Sequence, residues 1–266
     1  MSSCNTAIKI TPYEIIDVTK HTDLEWSFRV RSDMAIQYGQ YIDLVLPMYG
    51  EVPIAISDFG NGYLEIMGSK HGCTMEALFE KKIGDQVWLR KPKGSGYPLS
   101  KFNDKHLVVI AQGTGVGAVK GLISHYCREP YLLKHMDIIL GFHNDKEALF
   151  KDEMRAWNNC VNLIATTDIP SEDEFFESGL VTEYLDTVDI REKKDLRVVI
   201  VGSPVVIRSV GQIFTELGLT KQQIWVCYER RVSSGNCQCE HCRVTRPFCC
   251  QYGPVFRYDK ALTMER

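Results

Sequence analysis

The chain has 266 residues and a formal net charge of −3, with 44% hydrophobic and 24% charged residues. This composition excludes a disordered or collagen-like chain, and the near balance of charges excludes the basic field that would attract nucleic acid. The longest apolar run, residues 198–207, is ten residues long, whereas a membrane-spanning helix needs about 20.

Residues 1–100 are expected to form a small antiparallel β-barrel. Short segments rich in β-branched and aromatic residues alternate with turn sequences such as Gly60-Asn61-Gly62. The predicted strands are residues 7–10, 25–30, 41–46, 54–57, 63–67 and 86–89. One helix is predicted over residues 74–81, because Met75, Leu78 and Phe79 share one helical face.

Residues 101–226 change to strands that alternate with amphipathic helices. In chain order, beginning with a strand, the predicted elements are residues 107–111, 119–127, 136–140, 149–157, 161–166, 181–185, 198–201, 205–217 and 223–227. Near-continuous apolar strands separated by helices predict a doubly wound parallel sheet covered on both faces, and therefore an α/β domain. Residues 227–266 are expected to form a small third segment.

A glycine-rich turn follows the first strand of the predicted sheet. Its residues are Gly113, Thr114, Gly115 and Val116, and a helix comes next. Glycines let the backbone approach a pyrophosphate closely, and the start of the helix offers N–H groups and a positive dipole end. The acidic ribose partner that a dehydrogenase carries about 20 residues later is missing, so the turn departs from the dehydrogenase type.

A second turn, with Gly202 and Pro204, ends another apolar strand of the same sheet. Because ligands bind at the carboxyl ends of the strands in such sheets, the two turns can hold the two ends of one nucleotide. An ordinary loop from strand to helix is the alternative.

The cysteines are concentrated near the end of the chain, where six of the ten lie within residues 227–250. Because the amino-terminal sequence lacks the basic and apolar regions of a signal peptide, a reducing cytoplasm is the expected compartment. Clustered thiols there indicate a metal site, either tetrahedral zinc or an iron–sulfur cluster. The spacing does not choose between them, and His241 keeps a Cys3His zinc site open.

Taken together, these features resemble the ferredoxin–NADP reductase superfamily. The most specific segments are residues 21–26, 113–116, 224–231 and 253–256. Within the superfamily the chain most resembles the B subunits of anaerobic sulfite reductases. The electron-transfer subunits of dihydroorotate dehydrogenase and the gamma subunits of sulfhydrogenases are relatives. The resemblance implies FAD on the barrel, a nicotinamide nucleotide on the sheet and a carboxyl-terminal 2Fe-2S cluster.

The expected flavin site departs from the superfamily pattern. Where relatives carry an arginine and a serine, this chain has Val52 and Ala55. The resemblance then implies that FAD is held by backbone groups and at the helix start. The residues concerned are Ile54, Ala55, Ile56, Ser57, Gly72, Thr74 and Gly96. A barrel without flavin is the alternative.

The expected cluster ligands also depart from the family spacing, because Ser234 stands where the first cysteine belongs. The ligands implied by the resemblance are Cys237, Cys239, Cys242 and Cys250, with Cys237 replacing the missing thiolate. Ser234 as an oxygen ligand, or Cys249 in place of Cys250, are the alternatives.

The sequence therefore predicts a subunit that passes electrons from NADH or NADPH, through FAD and the cluster, to a catalytic reductase subunit. NADH is favoured because the loop after strand 161–166 is acidic, beginning at Asp168, and would repel a 2′-phosphate. The expected complex is anaerobic sulfite reductase, with a ferredoxin-like subunit as a possible further member. The alternatives are dihydroorotate dehydrogenase, a hydrogenase, or a metal-binding adaptor without turnover. No catalytic side chain is predicted.

Overall fold

The computed structural model describes residues 10–228 and 253–263. Its amino-terminal half is a closed, antiparallel, six-stranded barrel. The strands are β1 (Thr11–Lys20), β2 (Glu25–Arg31), β3 (Tyr41–Leu46), β4 (Gly50–Gly60), β5 (Tyr63–Ser69) and β6 (Gln86–Leu89). They pair in the order β1-β2-β5-β4-β3-β6, and β6 returns to β1. Closure leaves no open edge for pairing with another chain.

Helix α1 (Cys73–Phe79) lies between β5 and β6. The predicted apolar face is confirmed, because Met75, Leu78 and Phe79 are all buried in the barrel core. A short helix α2 (Leu99–Phe102) then leads out of the barrel.

The second half is built on a seven-stranded sheet. Its strands are β7 (His106–Gln112), β8 (His135–Phe142), β9 (Asn162–Thr167), β10 (Phe176–Ser178), β11 (Leu196–Gly202), β12 (Ile224–Tyr228) and β13 (Val255–Arg257). The order is β10-β9-β8-β7-β11-β12-β13, and every pair is parallel except β12 with β13. The α-helices among the described residues of this part are α3 (Val116–Arg128), α4 (Lys151–Trp157), α5 (Pro204–Glu216) and α6 (Tyr258–Ala261).

The sheet is buried on both faces, as the sequence predicts. Within β7, Leu107 and Val109 belong to one apolar cluster, while Val108 and Ile110 belong to the other. Because successive strand residues point to opposite faces, an uninterrupted apolar strand needs a cover on each side. The fold is therefore an antiparallel barrel followed by a doubly wound α/β unit.

The barrel and the α/β unit meet where α3 lies against β4 and β5. Glycines let the helix approach: a Cβ on Gly121 would lie 2.9 Å from the carbonyl oxygen of Ser57, and one on Gly117 would lie 2.6 Å from the sulfur of Met67. Beside them the Lys120 ammonium, on α3, pairs with the Glu65 carboxylate on β5. This contact sets the position of the glycine-rich turn before α3 relative to the barrel.

The structure differs from the expected elements in several places. Strand β1 runs from residue 11 to 20, whereas the strand predicted over residues 7–10 falls outside the described residues except for Ile10. The three-residue edge strand β10 was not predicted. Residues 227–266 were expected to form a separate segment, but Cys227 and Val255 pair with each other as part of the large sheet. Among the described residues, no helix combines the length and apolar character needed to cross a membrane.

Candidate nucleotide and electron-transfer site

The two predicted glycine turns lie next to each other. Strands β7 and β11 are parallel neighbours, with Ala111 opposite Val201 at their carboxyl ends. From β7 the chain continues through β8, β9 and β10 to one side of the sheet, whereas β11 and β12 lie on the other. This reversal of strand order opens a crevice at the carboxyl edge, which is where sheets of this type bind ligands.

The residues of the first turn have different roles. Gly113 has φ +57°, and a Cβ built on it would meet no atom within 4 Å, so its backbone faces open space. At Gly115 a Cβ would lie 2.9 Å from a methyl group of Val201, so this glycine allows close packing of helix on strand. Thr114 is half-buried between them. This division of roles fits a turn that lets an anion approach the start of α3.

Val116, predicted as a contact residue, is better explained by packing. Its side chain is fully buried, and its N–H donates to the carbonyl groups of Gly113 and Thr114. Because both its backbone donor and its side chain are used inside the protein, Val116 supports the turn and is not available to a ligand.

The second turn begins helix α5 in a regular way. Gly202, at φ +155°, is buried at the end of β11, and the Ser203 hydroxyl accepts a hydrogen bond from the N–H of Val206. Pro204 is the first residue of the helix, a position where its missing N–H costs nothing. The turn therefore forms one wall of the crevice.

The Gly113→Ala variant is expected to bind NADH at least about tenfold more weakly, because the added methyl group would enter the open space at the turn. A residue with φ > 0 also costs roughly 1–2 kcal/mol of stability. The control is Gly62→Ala, at φ +81° with equally open space in a barrel hairpin. Both variants should lose similar stability in urea unfolding, and equal dissociation constants for NADH would contradict the role assigned to Gly113.

On the barrel side, most of the flavin-contact residues predicted on β4 already have partners within the protein. Ile54 and Ile56 are buried in the barrel core, and β4 is hydrogen-bonded to β3 on one side and β5 on the other. The Ser57 hydroxyl donates to the Glu65 carboxylate over 2.8 Å. Because these groups already have partners, half-buried Ala55 is the one of the four predicted residues on this strand that can face a ligand.

The start of α1 remains available for an anion. Gly72 precedes the helix with φ +83° and open space around it, and no side chain caps the first turn. The hydroxyl of Thr74, by contrast, donates to the carbonyl of Tyr49 over 2.7 Å. Tyr49 belongs to the exposed hairpin between β3 and β4, and its ring is 54% exposed. Sequence reasoning missed Tyr49, which had only the signature of a turn.

Gly96 lies in a segment that is hydrogen-bonded to residues 253–255. A Cβ on Gly96 would lie 2.8 Å from the carbonyl oxygen of Tyr38, so it is a packing position. Next to it, the N–H of Ser95 donates to the carbonyl of Gly253 over 2.9 Å, and the Ser95 hydroxyl donates to the carbonyl of Val255 over 3.1 Å. The segment around Gly96 therefore supports residues 253–255, and the flavin contact at Gly96 stays a prediction.

The cysteine segment starts and ends at the carboxyl edge of the sheet. Residues 229–252 lie outside the described residues, including the predicted ligands Cys237, Cys239, Cys242 and Cys250 and the alternatives Ser234 and Cys249. The chain enters this segment from β12, whose Tyr228 lies opposite Gly202, and returns through β13. The segment thus begins one strand away from the second glycine turn and ends two strands away from it.

The residue predicted to select the nucleotide also lies at this edge. Asp168 follows β9, and its carboxylate lies 3.3 Å from Nδ1 of His143, which follows the neighbouring strand β8. The His143 side chain is 57% exposed and that of Asp168 is 34% exposed. The acidic charge predicted for this loop is therefore present at the carboxyl ends of the strands.

A barrel joined to a doubly wound sheet, with glycine turns at the point where the strand order reverses, defines a fold of the ferredoxin–NADP reductase type. Residues 109–212 match the oxidoreductase NAD-binding domain family. The structure of an NADH-dependent reduced ferredoxin–NADP oxidoreductase, described for flavin-based electron bifurcation, superimposes with a TM-score of 0.75 over 95% of this chain and 92% of that one, at 21% identity.

Two relatives show which kinds of protein the chain is similar to in sequence. The chain is 27% identical to the sulfhydrogenase 1 gamma subunit of Pyrococcus furiosus, over 83% of this chain and 78% of that protein. It is 26% identical to a probable electron-transfer subunit of NAD-dependent dihydroorotate dehydrogenase B from Thermoplasma volcanium, over 86% of this chain and 82% of that protein. The expected link to a sulfite reductase receives no support from these relatives.

Proposed function

We propose that this chain is the electron-transfer subunit of a hetero-oligomeric oxidoreductase, taking electrons from NADH and passing them to a catalytic partner subunit. The observation that carries the proposal is the shared edge of the sheet, where the two glycine turns lie beside both ends of the thiol segment. The similarity to sulfhydrogenase and dihydroorotate dehydrogenase subunits favours a partner of one of these two types. The sulfite reductase partner expected from the sequence is set aside.

The residues present suit FAD at its phosphate end. The uncapped first turn of α1 and the open space at Gly72 leave backbone N–H groups for a pyrophosphate, and the exposed ring of Tyr49 can stack on a base. Near Ala55 the contact is apolar, because Val52 and Ala55 offer no side-chain donor. When bound, the flavin supplies the conversion between two-electron and one-electron transfer.

In the proposal the nucleotide lies across the crevice at the switch point. Gly113 admits the pyrophosphate to the start of α3, and the turn at Gly202 forms the opposite wall. The carboxylate of Asp168 disfavours a 2′-phosphate, so NADH is the proposed donor. Gly115 and Val116 keep the turn packed against β11.

The proposed exit for electrons is a 2Fe-2S cluster held by Cys237, Cys239, Cys242 and Cys250. Four thiolates in a short segment are a suitable ligand set for such a cluster. The partner subunit would then dock at the carboxyl edge of the sheet, over the segment between β12 and β13. The missing donors at Val52 and Ala55 favour one rival function, an adaptor that keeps the fold and the metal but no longer turns over nucleotide.

The test is the absorbance spectrum of the anaerobically purified full-length protein during titration with NADH and, separately, NADPH. We expect flavin bands that bleach with NADH, at least about tenfold more NADPH for the same bleaching, and acid-labile sulfide. Cys239→Ser should lose the sulfide and keep the flavin response. Cys160→Ser, an exposed thiol outside the segment, is the control and should change neither.

Bound zinc without sulfide, or a spectrum without flavin, would replace this proposal by the adaptor function. Comparable bleaching by both nucleotides would overturn the selectivity assigned to Asp168. The catalytic subunit that copurifies decides the partner: a hydrogenase or dihydroorotate dehydrogenase subunit supports the proposal, and a sirohaem subunit contradicts it.

A further inference from the structure

The amino edge of the large sheet, opposite the nucleotide crevice, carries a cluster of polar side chains. His106 begins β7, His135 begins β8, and Asn162 begins β9. His106 lies opposite His135, and Asp137 of β8 lies opposite Asn162. Because residues two apart on a strand share a face, all four side chains lie on the same side of three adjacent strands.

The potential metal-ligating atoms converge. Nε2 of His106 lies 2.6 Å from one carboxylate oxygen of Asp137, and Nε2 of His135 lies 3.1 Å from the other. One ligand atom from each of these three residues falls within 4.8 Å of the other two. Ligands of a tetrahedral zinc ion, at bond lengths of about 2.0–2.1 Å, lie roughly 3.3 Å apart. Small side-chain rotations would therefore bring the three atoms to a common ion.

Hydrogen bonding leaves two acceptor atoms of this cluster facing each other. The amide nitrogen of Asn162 lies 3.0 Å from both Nε2 of His135 and a carboxylate oxygen of Asp137, and its two hydrogens can be donated to both. Nε2 of His135 then carries a lone pair and lies 3.1 Å from that carboxylate oxygen, which is also an acceptor. A cation between the ring nitrogen and the carboxylate removes this conflict, because both atoms then direct lone pairs to it.

The neighbouring lysines pair with another carboxylate, and one side of the cluster is open to solvent, so a cation could bind there. The nearby ammonium groups of Lys105 and Lys134 both pair with Asp195, on the loop before β11, and not with Asp137. The side chains of His106 and Asp137 are only 12% and 11% exposed, whereas that of His135 is 46% exposed. A surface cavity of about 380 Å³ borders His135 and Asn162. The cluster is thus anchored on its inner side and open to solvent on its outer side.

We propose that His106, His135 and Asp137 bind a divalent transition-metal ion, of which zinc is the best match. Two imidazole nitrogens and one carboxylate oxygen are a donor set that zinc prefers. The fourth position takes water, which can enter from the exposed side at His135. The ion joins the first residue of β7 to β8, so it ties the two central strands together at the edge away from the nucleotide.

The test is zinc binding to the full-length protein by calorimetry, compared with His135→Gln. This side chain is nearly half exposed, so the variant is expected to fold. The wild type should bind one more equivalent of zinc than His135→Gln, or bind it at least tenfold more tightly, and zinc should raise the melting temperature of the wild type more than that of the variant. Zinc bound by the cysteines contributes equally to both measurements, because both proteins carry the same cysteines.

The matched control is His143→Gln, since His143 is similarly exposed and also lies beside a carboxylate, but without a second histidine. It should bind zinc as the wild type does. The Co²⁺ spectrum of the wild type minus that of His135→Gln should show visible bands without sulfur-to-metal charge transfer. Equal zinc stoichiometry and affinity in wild type and His135→Gln, or no nitrogen–oxygen Co²⁺ bands, would overturn the site.

Discussion

Replacing Lys120 by methionine is expected to lower the free energy of unfolding by about 3–5 kcal/mol, because it leaves a buried carboxylate without its main partner. The side chains of Lys120 and Glu65 are each only 3% exposed. Lys120 also lies 3.4 Å from Glu153 of α4, and its ammonium lies 5.0 Å from the centre of the Phe150 ring. Urea unfolding, read at equilibrium, measures the loss.

The control is Arg29→Met, because Arg29 binds the same Glu65 carboxylate at 2.8 Å but is 39% exposed. Partly exposed pairs contribute at most about 1 kcal/mol. The double variant Glu65→Leu with Lys120→Met removes both charges and should recover most of the loss, since apolar replacement of a buried pair is often neutral. Equal losses for Lys120→Met and Arg29→Met would show that burial of the pair has no special role.

The same pair makes stability depend on pH in one direction. Burial alone would raise the pKa of Glu65, but Lys120 and the hydrogen bonds from Ser57 and Arg29 hold it below the ordinary value. The folded state then binds this proton less readily than the unfolded chain, so the contribution is complete at neutral pH. It is lost as the pH falls below about 4.3, the usual glutamate value. The difference in stability between wild type and Glu65→Gln should therefore shrink on acidification.

Gly121→Val is expected to destabilise the protein by about 1–3 kcal/mol, through overpacking where α3 meets the barrel. The clash is with rigid atoms, because a Cβ there would lie 2.9 Å from both the Ser57 carbonyl oxygen and the Tyr38 ring. Gly121→Ala tests the same clash with a single added methyl group. In an exposed helix this change would gain roughly 0.5–1 kcal/mol, but here it should lose stability.

Gly117→Ala, one helical turn earlier, is the matched comparison. The atom nearest to its Cβ is the sulfur of Met67, which belongs to a flexible side chain that can move aside. We expect Gly117→Ala to be close to neutral in urea unfolding. If both alanine variants were neutral, the approach of α3 to the barrel would not depend on Gly121.

Local patterns predicted the architecture well, because each half follows a simple periodicity. The apolar run of Leu107 to Ala111 indicates a strand buried on both faces, and the Met75, Leu78 and Phe79 spacing indicates the helix of the barrel. Strand β1 was missed because residues 11–20 mix Pro12 with many polar side chains and acquire strand structure from their pairing with β2 and β6. Tertiary pairing, not local propensity, decides such a segment.

The candidate site was only partly predictable. Gly113 and Gly202 were found because a strand followed by a glycine and a helix is a local signal, but their adjacency depends on the pairing of β7 with β11. The occupied backbone of Ile54 and the hydrogen bond of Thr74 to Tyr49 are likewise tertiary facts. His106, His135 and Asp137 gave no motif, since only the strand register brings them together.

The pairing of Cys227 with Val255 determines how the segment between β12 and β13 could be altered by protein engineering. Residues 229–252 form an insertion whose two ends are fixed side by side, and the cost of closing such a loop rises only slowly with its length. The segment can therefore be lengthened, shortened or exchanged for that of a relative while the sheet and the barrel keep their structure. The segment could therefore be exchanged between homologues without redesigning the sheet or the barrel.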